Sequence, residues 1–183
     1  MRHSILLALG LCLASTPARA QTYEQDSLKD IMWVAANLGF GVGHVSCNGC
    51  AAQDVGMDFL LALGGVRNRH IRAGLMWDEW GAASAKTESL VFSVYYYPWA
   101  KQRFFLEGGF GGSSVWVRQV GTDSTASGSG VVFAGALGFE LPVEPGKPGV
   151  LLKPRVGFTR IAGGTVASAS MVSIGVGVQW ERR

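Results

Sequence analysis

The stretch SMVSIGVGVQW, Ser170 to Trp180, poses the question that decides the fold. Val172, Ile174, Val176, Val178 and Trp180 share one parity, while Ser173, Gly175, Gly177 and Gln179 share the other. A strand points successive side chains to opposite faces, so one face here is bulky and apolar and the other nearly bare. In a soluble barrel the bulky face packs inward and the outer face carries charge; in a membrane barrel the order is reversed.

Seven earlier segments alternate in the same way: Trp33–Val45, Val55–Val66, Ile71–Trp80, Leu90–Tyr97, Phe104–Val117, Val131–Leu141 and Val150–Arg160. Each approaches the length a tilted strand needs to cross the hydrocarbon layer, and none reads as a helix. Pro154 is the weak point of the seventh segment, because it cannot donate to a ladder. The expected architecture is all-β, an eight-stranded antiparallel up-and-down transmembrane β-barrel. From a periplasmic N-terminus, long outer loops are expected over 46–54, 81–89, 118–130 and 161–170. Short inner turns are expected at 68–70, 98–103 and, less short, 142–149.

The bare parity argues which face is inside. A soluble calyx would show water Lys, Glu and Thr, whereas Gly, Ala and Ser dominate here and suit the narrow lumen that eight strands enclose. Seven large polar residues share that parity: Asp58, Arg72, Asp78, Glu107, Glu140, Lys153 and Arg155. An unpaired charge held away from water is costly, but opposed charges with hydrogen bonds are accommodated. They are expected to form an ion-pair network that plugs the lumen. Aromatic residues gather toward segment ends, Trp77 and Trp116 on the outer side and Tyr96, Trp99, Phe104 and Trp180 on the inner, as membrane boundaries favour.

Composition agrees. Charged residues make up 16% of the chain, below the ~25% of an ordinary soluble domain. Residues 1–20, MRHSILLALGLCLASTPARA, read as a secretory signal ending in an A-x-A site, which leaves 21–183 as one barrel domain. Removing Arg2 and Arg19 from 16 basic residues leaves 14 against 13 acids, a near-neutral balance without the footprint of a nucleic-acid binder. No phosphate-cradling motif is present, and no cofactor or metal is expected.

The final strand resembles the assembly signal of bacterial outer-membrane barrels through Ser173, Gly175, Val178 and Trp180, although Glu181, Arg182 and Arg183 follow where many such barrels end. The mature chain is similar to small eight-stranded outer-membrane β-barrel proteins of the OmpA and OmpX type. More closely, it resembles members of unassigned role with a C-x-G-C element in the first surface loop, here Cys47-Asn48-Gly49-Cys50. The resemblance implies insertion by the barrel assembly machinery and contact with outer-membrane lipid and lipopolysaccharide.

Asn48-Gly49 favours a tight turn that brings Cys47 near Cys50, and an exported chain oxidises proximal thiols, so a disulfide is the preferred reading. The alternatives are a metal site adding His44 and Asp54, a redox pair, and two free thiols. His44, Ser46 and Asp54 form the one catalytic trio worth weighing, for a lipid A-modifying enzyme; the expectation is instead a non-enzymatic outer-membrane protein with a structural or surface-interaction role. A narrow pore is the other alternative.

Overall fold

A computed structural model describes residues 31–47, 50–99, 103–118, 125–142, 150–162 and 168–182. The strands are β1 (Met32–Cys47), β2 (Cys50–Val66), β3 (Ile71–Gly81), β4 (Ala85–Tyr96), β5 (Phe104–Arg118), β6 (Thr125–Phe139), β7 (Leu141–Pro142), β8 (Val150–Ala162) and β9 (Ser168–Arg182). All neighbours pair antiparallel. β1 bonds to both β2 and β9, and β6 to both β5 and β8, so the sheet closes on itself. The two residues of β7 are no separate stave: Leu141↔Leu152 continues the register of Gly138↔Arg155. The ladder lapses opposite Lys153 and Pro154, where the proline has no N–H to give. On the side facing β5, Glu140 N donates to Arg103 O at 3.0 Å and continues the register of Phe104↔Phe139. Eight staves result, with the predicted weak point where the rungs are missing.

The wall is steeply staggered. Followed through paired residues, a ring runs Val34, Leu63, Leu75, Phe92, Phe110, Phe133, Arg160 and Ser170, then returns to β1 at His44, ten residues beyond its start. That stagger in eight strands tilts them about 40° from the axis. A circuit of the wall therefore climbs toward the outer end as it passes from β1 through β2 to β9.

The bulky parity faces outward. Phe40 is 63% exposed, Phe133 56% and Ile174 65%, while Asp58 and Glu107 are buried. On β1 the apolar run from Met32 to Val42 forms a belt roughly 25 Å tall at this tilt, the height of a hydrocarbon layer. A continuous apolar ring of this extent fits lipid rather than water. Its lower edge carries the expected aromatics, with Trp99 and Phe139 each about one ring from Phe104 (centroids 6.0 and 5.2 Å). Trp77 is a correction: paired with Leu61 and Leu90, it sits near mid-belt, because the tilt places that part of β3 deeper than its place in the segment suggests.

The expected outer loops also need correcting. β2 begins at Cys50, β4 at Ala85, β6 at Thr125 and β9 at Ser168, leaving connections of two to six residues at that end. Thr125–Gly130 has no apolar face, yet its backbone pairs rung by rung with Ser113–Arg118. Above the belt, satisfaction of backbone groups extends the hairpins where hydrophobic alternation has already stopped. The asymmetry of long outer loops and short inner turns does not hold.

Candidate functional site

The inner mouth of the lumen is built around Glu140. Its Oε1 accepts from Arg72 Nη1 at 3.1 Å and from the Tyr97 hydroxyl, and Lys153 Nζ lies 3.4 Å away. Arg72 also binds Glu181. Gln179 links the two cations' partners, accepting from Lys153 Nζ at 2.7 Å and donating to Glu181 Oε1 at 2.9 Å. The alternation of β3, β8 and β9 turns Arg72, Lys153, Gln179 and Glu181 inward, and closure of the ring brings these three strands together with Tyr97 and Glu140, which directly follow β4 and β6. Above them lies an aromatic collar: Lys153 Nζ sits 4.6 Å from the ring centres of both Tyr95 and Phe105, and the Arg72 guanidinium 4.7 Å from that of Tyr97. Cations buried against aromatic faces gain the ring quadrupole in place of water.

The mid-lumen holds the remaining expected charges. Arg155 Nη2 pairs with Glu107 Oε2 at 3.3 Å, and Ser93 Oγ reaches the other Glu107 oxygen at 3.4 Å. Asp58 and Asp78 stand diagonally across β2 and β3, both buried. Thus Arg72, Glu140 and Lys153 meet in one cluster, and Arg155 and Glu107 in another; Asp58 and Asp78 are diagonal neighbours on β2 and β3.

Toward the outer end the lumen becomes apolar. Trp80, Val45, Val115, Val117, Val132, Ile161, Ala169 and Met171 are buried there. Glycine makes the room: a Cβ at Gly43 would lie 2.6 Å from the Trp80 ring and one at Gly56 2.8 Å from it. The Trp80 indole N–H donates to Gly41 O at 3.2 Å. Trp33, Trp80, Tyr95, Tyr97 and Phe105 were not among the expected lumen residues, whereas Asn37 and Gln179 lie on the bare parity expected inside and are buried there. The aromatics' signal was present, since each shares the small parity of its segment.

At the outer rim, Asp54 stands above the belt and faces inward. It accepts from Ser84 Oγ at 2.9 Å, Ser84 N at 3.1 Å and Val55 N at 2.9 Å. These bonds, the Ser84 hydroxyl first, hold its carboxyl below the usual carboxylate range. Lys86, on the outward face above the belt, bridges Glu88 (2.7 Å) and Glu79 (3.0 Å), which raises its pKa. His44 and Ser46 lie on the opposite face of the wall from Asp54, whose oxygens are engaged by Ser84, so the weighed trio is not assembled. Cys47 and Cys50 are paired across the last rung of β1 and β2; their side chains and residues 48–49 lie outside the described residues, as do the expected signal at 1–20 and the bond between the two sulfurs. Among the described residues, no three His, Cys, Asp or Glu gather to hold a metal. On β9, Ser173 and Gly175 face the lumen, while Val178 and Trp180 lie on the outward face.

The sequence matches no protein-family model and no curated protein. The fold does have counterparts. Neisserial surface protein A superposes with a TM-score of 0.62 at 15% identity, over 81% of this chain and 96% of that one. Ail, the attachment invasion locus protein of Yersinia pestis, superposes at 0.52 with 10% identity, over 82% of this chain and 98% of that one. At such identities the likeness is one of fold, and the fold is that of the small outer-membrane β-barrels.

Proposed function

We propose that this chain is a non-catalytic integral protein of the outer membrane, exported through its N-terminal signal and inserted by the barrel assembly machinery. In this reading its closed lumen bars conduction, and its outer rim and loops meet lipopolysaccharide and a surface partner. The observation that carries the proposal is the filled lumen inside an apolar belt: side chains from facing strands interlock where a pore would need water. The absence of an assembled trio at His44, Ser46 and Asp54 argues against the lipid A-modifying alternative. The names of both fold counterparts refer to surface exposure or attachment, which fits a role at the rim.

Three measurements test it. The protein is expected in the outer-membrane fraction, migrating differently before and after boiling. In planar bilayers it gives no sustained open state; a lasting conductance refutes the plugged lumen. His44→Ala and Ser46→Ala leave the lipid A profile of cells unchanged, and an altered profile refutes the non-catalytic reading.

A further inference from the structure

A groove of about 620 Å³ crosses the outer wall of β3 to β8. Its length is one row of paired positions, Trp77↔Leu90↔Gly112↔Val131↔Ala162. Gly112 is the floor, and a Cβ added there meets nothing within 4 Å. One outward position lower on β5, Phe110 stands out from the wall at 61% exposure and forms a sill. One position higher, Ser114 and Ser129 supply a hydroxyl lip.

The groove is not level. Because the wall climbs ten residues per circuit, a row followed from β3 to β8 rises roughly 12 Å toward the outer rim. Its Trp77 end lies near mid-belt and its Ala162 end near the height of His44. The low end, at Trp77 and Leu90, is apolar; the high end borders the serine lip. Arg160, one outward position below Ala162 on β8, is exposed and makes no ion pair with any described residue. Glu88, which also lines the groove, is already neutralised by Lys86. An amphiphile lying along the slope would therefore set its chain at the deep end and an anionic group beside the guanidinium, at the height where head groups begin.

The geometry points to a seat for one phosphate-bearing lipid of the outer leaflet, its acyl chain over Gly112 and its phosphate toward Arg160. A guanidinium near the membrane surface is accommodated at little cost, and a phosphate gives it a charge-assisted partner. The occupant is lipid because the surrounding wall is the belt itself. The inference rests on the membrane reading above and deepens its lipid contact.

The test is native mass spectrometry of the detergent-solubilised full chain with lipid A added, and with phosphatidylcholine as a zwitterionic comparison. The wild-type protein is expected to retain one lipid A molecule in preference to phosphatidylcholine. Gly112→Leu, which fills open space, lowers that retention about tenfold, a difference of roughly 1.4 kcal/mol. Arg160→Ala removes the preference for lipid A over phosphatidylcholine while leaving Gly112 open. Ala162→Leu fills the groove from its other end and serves if Gly112→Leu fails to acquire heat-modifiable mobility. Equal retention by wild type and both groove-filling variants overturns the inference, since only annular lipid is then bound. Dimers that dissociate on Gly112→Leu overturn it in favour of a second copy of the chain. If the wild type is absent from the membrane fraction, the membrane reading itself has failed.

Discussion

Substituting Glu140 by Gln tests whether the inner-mouth cluster holds the barrel shut. The carboxylate is nearly inaccessible and receives Arg72, Lys153 and Tyr97. Gln is nearly the same size and still accepts from the tyrosine hydroxyl, but it leaves Lys153 with Gln179 alone while Arg72 keeps Glu181. Removing one partner of a buried pair costs about 3–5 kcal/mol; the bonds that survive place this substitution at the lower end, about 3 kcal/mol. With a urea slope of about 2 kcal/mol/M, the unfolding midpoint falls by roughly 1.5 M. The assay is equilibrium unfolding from lipid vesicles, followed by tryptophan fluorescence and checked by gel mobility of unboiled samples. Adding Lys153→Met to Glu140→Gln removes the stranded ammonium and restores at least half the loss, because the ammonium is no longer buried without its carboxylate. A midpoint for Glu140→Gln within about 0.2 M of wild type refutes the reasoning, as does a double variant weaker than the single.

The belt predicts a depth dependence: Leu38→Arg, near its middle on β1, costs about 2–4 kcal/mol and Val42→Arg, at its upper edge, about 0–1, by the same unfolding assay. Gly43→Ala drives a methyl into the Trp80 ring and lowers stability by about 1–3 kcal/mol, and Trp80→Leu in the same chain recovers part of that loss. Arg103 enters β5 with φ at 53°, a left-handed conformation, so Arg103→Gly raises the unfolding midpoint, by the equivalent of about 1 kcal/mol. Asp54 titrates below its ordinary value of 3.8, so its contribution to the rim is complete above that value and is lost as pH falls through the depressed pKa; amide exchange at Ser84 should accelerate in that acid range, and Asp54→Ala should abolish the pH dependence. Maleimide labelling of Cys47 and Cys50 is expected only after reduction, and labelling without reductant would show free thiols.

Period-two alternation made the fold legible because lipid and lumen impose opposite demands on the two faces of every strand. Ile174 and Phe133 must be bulky where they meet hydrocarbon, and Gly175 and Ala134 must be small where eight staves crowd together. Parity also marked all seven expected lumen charges. Which of them would meet was not legible, since Arg72 finds Glu140 across the ring rather than along a hairpin, and that depends on the accumulated register of every pair between them. Trp33 and Trp80 share the inward parity of their segments, but nothing in a face otherwise rich in Gly, Ala and Ser marks where such large rings fit. The glycines facing them, such as Gly43 and Gly64, acquire their meaning only once the rings they accommodate are placed. The start of β6, Thr125 to Gly130, left no apolar trace of its pairing.

Glu181 gives the seam between first and last strands a chemical function. The residue follows Trp180, and through Arg72 and Gln179 it reaches the cluster from the final strand of the chain. A sheet that has not yet joined β9 to β1 keeps Arg72, on β3, away from Glu181, on β9, and leaves the guanidinium without that acceptor, facing hydrocarbon if it is already in the bilayer. Such a half-curled intermediate is strongly disfavoured in lipid. Zipping of the last pair and the pairing of Arg72 with Glu181 are then one event, so the seam carries an ion pair across the lumen as well as its backbone ladder.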